Sequence, residues 1–178
     1  HPRDRRQRQM CIRDRPEGVM QKLSKLSEYN IQSIEQPIAP GQWKEMATLC
    51  KTSPIPIALD EELIGIYSEQ EKVNLILEIK PQNIILKPSL VGGWQGADQW
   101  VSIAEKYAVD WWATSALESN IGLNAIAQWV STKQINRPQG LGTGGLFTNN
   151  IDTPLYLRGQ NMGFNPNKLS DFTLKTCL

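Results

Sequence analysis

The chain has 178 residues, 40% of them hydrophobic, with 19 lysines and arginines against 18 aspartates and glutamates. That balance is globular rather than disordered, and no apolar run reaches the ~18–20 residues of a membrane helix. The single histidine, His1, excludes a Ser-His-Asp triad, a Cys-His pair and a histidine-bound zinc site. Any acid–base chemistry therefore falls to carboxylates and lysines. Three scattered cysteines (Cys11, Cys50, Cys177) lack metal-ligand spacing and point to a reducing, cytoplasmic setting.

Residues 1–15 hold six arginines and two aspartates, a net of +4, which leaves the other 163 residues at −3 against a whole-chain +1. No apolar stretch follows them as a signal peptide requires. A nucleic-acid arm, a solvated tail and translated sequencing-adapter read-through are the three readings of this segment. No aromatic platform or helical period supports the arm, and RQMCIRDR resembles the read-through. We therefore set residues 1–15 aside as non-native or disordered and expect neither a nucleic-acid nor a membrane partner.

From residue 16 a pattern repeats. Val19, Leu23 and Leu26 predict a helix over 17–29, closed at Asn30. IQSIEQP reads as a short strand ending at Glu35, and GQWKEMATLCK at 41–51 as a helix. SPIPIALDEEL is an apolar strand ending in acids, residues 68–80 are a helix, and NIILKPSLVGG is a buried strand ending in a lysine. Trp100, Ile103, Ala104, Tyr107 and Ala108 mark the helix at 96–109. VDWWATSALES follows as a strand, then IGLNAIAQWV as a helix capped by Ser119 or Asn120. The last unit, RPQGLGTGGLF at 137–147, precedes a Pro- and Asn-rich tail, with 166–178 as its end.

Alternating strands and helices with continuously apolar strands imply a parallel sheet covered by helices. The strand-end residues Glu35, Asp60, Lys87, Ser115 and Gly142 are 25, 27, 28 and 27 residues apart. A step that regular favours a (β/α) barrel, whose C-terminal strand ends build one active site.

Glu35 and Asp60 can converge on a hard divalent cation, or each can be a solvated strand-end acid. Glu61 and Glu62 crowd the same turn; we assign Glu61 to support the ligands by bonding a lysine or a backbone amide. Lys87 ends a strand apolar enough to be buried, where an ammonium is costly unless it meets an acid or a substrate. It can stabilise an enolate or bridge to Asp60, and the two roles are compatible. GLGTGG at 140–145 formally fits a dinucleotide fingerprint but lacks the helix that must follow. It is read as backbone approaching an anion, or as a plain turn. The six tryptophans are expected in the core, with Trp94 alone considered as a pocket lid.

IEQP, IALDEEL, ILKPSLVGG, SALESNIGL and GLGTGGLF, in this order and spacing, resemble the C-terminal barrel of the enolase superfamily, and within it the o-succinylbenzoate synthases. The resemblance spans residues 16–165 and implies part of a TIM-type barrel, about five βα units, without a capping domain. It implies Glu35 and Asp60 as Mg²⁺ ligands and Lys87 as the lysine that faces the substrate. Ser115, Ser119 and Gly142 become contacts to a small-molecule carboxylate. The implied reaction is a Mg²⁺-dependent syn dehydration of a cyclohexadiene carboxylate to o-succinylbenzoate, through a metal-stabilised enediolate, in menaquinone biosynthesis.

The family's third-strand aspartate and second-strand K-x-K pair have no counterpart here. A complete barrel takes ~250 residues, so the expectation is a fragment of about five-eighths of a barrel, inactive alone. Within the superfamily, an N-acylamino acid racemase or a dipeptide epimerase is the alternative. The epimerases' Asp-x-Asp would fall where this chain reads GLGTGG. From another class, a non-catalytic anion-binding module remains open.

Overall fold

A computed structural model describes residues 16–135 and 137–168. Residues 1–15, and all of the tail beyond Lys168, lie outside them. The chain divides between Trp112 and Ala113 into two compact units.

The first unit is a repeating α/β layer. Its helices are α1 (Pro16–Leu26), α2 (Trp43–Thr52), α3 (Glu69–Ile79) and α4 (Gly93–Lys106). Between them run β1 (Ile34–Glu35), β2 (Ile57–Leu59), β3 (Asn83–Leu86) and β4 (Asp110–Ala113), the last carrying the chain across the division. The strands lie in the order β1-β2-β3-β4, and the β1–β2 and β2–β3 pairs are parallel. Every residue of β2 and β3 is buried, as a sheet covered on both faces requires. α2 packs on α3 and α3 on α4, and Met46, Leu49, Leu75, Ile79 and Trp100 are among the buried side chains that these helices supply.

Helix boundaries follow local chemistry. Ser68 accepts a hydrogen bond from the Glu71 amide at the start of α3, a cap worth about 1 kcal/mol. α1 tightens into a 3₁₀ turn at Ser27–Tyr29, and Asn30 closes it in the left-handed region at φ 50°. α4 begins three residues before the helix predicted from the apolar stripe. The cause is glycine: Gly92 takes φ 97°, and a Cβ on Gly96 would lie 2.0 Å from the Val91 carbonyl oxygen. Apolar periodicity cannot register that entry turn, because its large side chain, Trp94, is 44% exposed and marks no buried stripe.

The second unit opens with Thr114 bridged in parallel to Gly140, a single contact in place of a fifth full strand. Helix α5 (Asn120–Ser131) follows, and Gly142–Gly145 form a 3₁₀ turn, which leaves the glycine motif without the helix a dinucleotide site needs. An antiparallel hairpin, β5 (Leu155–Arg158) and β6 (Asn161–Phe164), occupies part of the predicted irregular tail. Among the described residues no helix is long and apolar enough to cross a membrane.

Candidate active site

Side chains alternate between the faces of a strand, and residues paired in register share a face. Glu35 pairs with Ala58, and Ala58 with Asn83. Counting by twos from these pairs puts Glu35, Asp60 and Lys87 in phase with Ala58 and Ile85. Ala58, Ile85 and Trp112 form a buried apolar cluster on that face. The three charged residues therefore stand in phase at the C-terminal ends of three adjoining strands, above an apolar floor.

Lys87 donates a hydrogen bond to Asp60 Oδ2, forming an ion pair whose side chains are 18% and 7% exposed. Burial pushes the Asp60 carboxyl above its ordinary range; the hydrogen bond and charge of Lys87 oppose that shift, while the charge of Glu61 adds to it. A carboxylate so desolvated calls for a cation, and in this structure the lysine supplies it.

The chemistry of the donors suits Mg²⁺ in part. This ion takes hard oxygens, keeps several waters, and is commonly held by one or two carboxylates with the substrate completing the shell. Glu35 and Asp60 meet that requirement in type and number. Among the described residues no group of three or more His, Cys, Asp or Glu side chains could enclose a metal.

The turn after β2 carries two glutamates, Glu61 and Glu62. Glu62 is 4% exposed and accepts hydrogen bonds from the Gly41 amide and Gln36 Nε2, so it too supports the turn. Glu61 is only half-buried. The 3₁₀ turn Glu61–Leu63 decides which carboxylate points inward, and sequence pattern does not resolve so short a turn.

Gln36 is a residue the sequence reading passed over. It sits at φ 38°, a left-handed conformation costly for a residue with a Cβ, and it is 6% exposed. Its Oε1 accepts from the amides of Asp60 and Glu62, at 3.2 and 3.3 Å. The signal available in sequence was only a polar residue wedged between Glu35 and Pro37.

The remaining candidates lie in the second unit. Ser115 is buried and locally committed: its hydroxyl donates to Glu118 Oε2 at 2.6 Å and accepts from the Leu117 amide at 2.9 Å. Ser119 is the N-cap residue of α5, but its side chain makes no capping bond. It lines a cleft with Phe147 and Asn149, whereas Gly142 lines a larger one of about 900 Å³ between α5 and the hairpin. In the first unit, Trp94 is 44% exposed in the opening turn of α4.

Residues 13–145 match the family described as Enolase C-terminal domain-like. The o-succinylbenzoate synthase of Desulfotalea psychrophila is 52% identical over 148 residues, which cover 83% of this chain and 40% of that protein. The crystal structure of MenC from the same organism superposes with a TM-score of 0.81 at 50% identity, over 84% of this chain and 42% of that one. Muconate lactonizing enzyme from Pseudomonas putida, at 22% identity and a TM-score of 0.74, shares the fold over 89% of this chain and 47% of its own. This chain therefore spans about two-fifths of the length of the o-succinylbenzoate synthase it matches. With three quarters of its residues inside the family match, the chain belongs to the enolase C-terminal domain-like family.

Proposed function

We propose that this chain carries barrel strands of an o-succinylbenzoate synthase, a lyase that dehydrates a cyclohexadiene carboxylate in the cytoplasm on the route to menaquinone. The observation that carries the reading is the partly buried Asp60–Lys87 pair in phase with Glu35, in a chain 52% identical to an o-succinylbenzoate synthase. Glu35 and Asp60 would hold Mg²⁺, with Glu61 and Glu62 bracing the turn behind them. When bound, the ion supplies positive charge against a substrate carboxylate as its α-proton leaves.

Lys87 contributes from the protein side. Its ammonium sits at the same strand ends, where it places a second positive charge near negative charge developing in the transition state. The surrounding apolar floor lowers the local dielectric and strengthens that interaction. Proton abstraction calls for a base of the K-x-K kind, and no such pair occurs in these 178 residues. Ser119 and the Gly142 backbone are the second-unit groups proposed to contact the substrate carboxylate. Ser115 would shape its own turn through Glu118.

The test is genetic and chemical. The complete reading frame upstream of residue 16, recovered from the source DNA and expressed with this segment, should form o-succinylbenzoate in a Mg²⁺-dependent manner. It should also restore menaquinone to a strain lacking the synthase. Racemisation of an N-acylamino acid or epimerisation of a dipeptide, without dehydration, would replace this reading with the alternative superfamily activity. An upstream frame with neither a K-x-K strand nor a third carboxylate would leave only an anion-binding role.

A further inference from the structure

We propose that Gln36 is a positioning residue that sets Asp60 relative to Glu35 for cation binding; this rests on the metal reading above. An amide side chain offers two acceptor lone pairs and two donor hydrogens, and Gln36 uses all four. Oε1 accepts from the Asp60 and Glu62 amides, and Nε2 donates to the Ile38 carbonyl at 3.1 Å and to Glu62 Oε2 at 3.0 Å. The oxygen must face the two amides, because backbone N–H groups can only donate. Glu62 then accepts from the Gly41 amide at 2.7 Å, so the loop after β1 and the turn after β2 are bound to each other.

The consequence is geometric. Gln36 follows Glu35 directly and continues the β1–β2 ladder, its amide donating to the Ala58 carbonyl at 2.9 Å. Backbone pairing thus locates one carboxylate, and the Gln36 side chain locates the backbone of the other. Asp60 lies beyond the last paired residue of β2, so the ladder alone leaves it free to turn. Gln36 Oε1 supplies the side-chain bond that reaches the Asp60 amide across that distance.

A staple that merely stabilises the fold would behave differently from a positioning residue, and Gln82 provides the matched control. At the opposite end of the sheet, Gln82 Oε1 accepts from the Ile57 amide at 3.0 Å and Nε2 donates to the Cys50 carbonyl at 2.8 Å. The probe is Mn²⁺ on the full 178-residue chain, read as a dissociation constant from water-proton relaxation and as broadening of the Glu35 and Asp60 amide resonances. Gln36→Met should weaken Mn²⁺ binding at least fivefold, while Gln82→Met leaves it within twofold. A folded Gln36→Met chain that binds Mn²⁺ as the unaltered chain does, while Asp60→Asn abolishes binding, overturns the positioning role alone. Unchanged binding in Asp60→Asn overturns the metal reading and this inference with it. Should Gln36→Met not fold, hydrogen exchange on the unaltered chain decides. Mg²⁺ should slow exchange of the Asp60 and Glu62 amides at least threefold and leave Ile57 unchanged, and equal rates with and without Mg²⁺ overturn the proposal.

Discussion

The two ends of the first unit's sheet are built from the same strands and do opposite work. At the N-terminal end, Gln82 accepts from the Ile57 amide and donates to the Cys50 carbonyl, two neutral bonds that close backbone groups on each other. The Cys50 thiol there is buried, and burial pushes its pKa up to about 12, so it is an inert packing group. At the C-terminal end a carboxylate and an ammonium are paired in partial burial, and a second carboxylate, Glu62, is buried in the turn after β2. Desolvating charge costs stability and is tolerated where it has a task. One end closes neutral backbone groups on each other and the other gathers charge.

The sharpest way to break this contrast is to remove one partner of the charged pair. Lys87→Met leaves Asp60 buried without its cation and should cost about 3 kcal/mol. Urea unfolding at neutral pH measures it, and adding Asp60→Asn should recover more than half of the loss. A single-variant cost below about 1 kcal/mol would mean that the pair is effectively solvated.

At the neutral end the expected loss is smaller. Gln82→Met removes two partly buried hydrogen bonds and should cost about 1–2 kcal/mol by the same unfolding measurement. A loss equal to that of Lys87→Met would erase the difference between the ends.

Lys72 tests whether the helices behind the charged end share its strain. It is 1% exposed on α3, bonds only neutral oxygens (the Gly96 carbonyl at 3.2 Å, Gln99 Oε1 at 2.8 Å), and lies 5.5 Å from the Trp100 ring centroid. Burial holds its pKa below the ordinary 10.5, against the opposing charge of Glu69. With a depressed folded-state pKa, the unfolded chain binds the extra proton across the window between that value and 10.5. The contribution of Lys72 to stability should therefore rise with pH through this window and be lost as pH falls through the folded-state value. Denaturation midpoints of the unaltered chain and of Lys72→Met, compared over that range, should converge in slope only if Lys72 carries no such penalty.

The smallest effect concerns Cys50. Iodoacetamide at neutral pH should leave it unmodified in the folded chain, read on the Cys50 peptide by mass spectrometry, and label it once urea unfolds the sheet. Labelling without denaturant would show that the N-terminal end opens as readily as a working site.

The repeat was legible because each βα unit must bury an apolar strand and an amphipathic helix, and both leave periodic marks in the residues. The regular step from Glu35 to Asp60 to Lys87 follows from that, and counting on from the paired residues of β1, β2 and β3 puts the three in one phase. Features without periodicity were lost. The early start of α4 rests on Gly92 and Gly96, which bury nothing. The β5–β6 hairpin falls among prolines and asparagines that read as loop, and its pairing is a contact between segments.

By itself the sequence determined which residues carry charge at the strand ends, because chain order and strand parity are local properties. Only the tertiary structure decided how those charges are shared. That Lys87 bonds Asp60, that Glu62 is buried in the turn after β2, and that Gln36 spends three of its four side-chain hydrogen bonds on that turn are all choices among nearby partners. Each is settled by desolvation: a polar group buried between packed helices and strands must take the partner the fold leaves within reach.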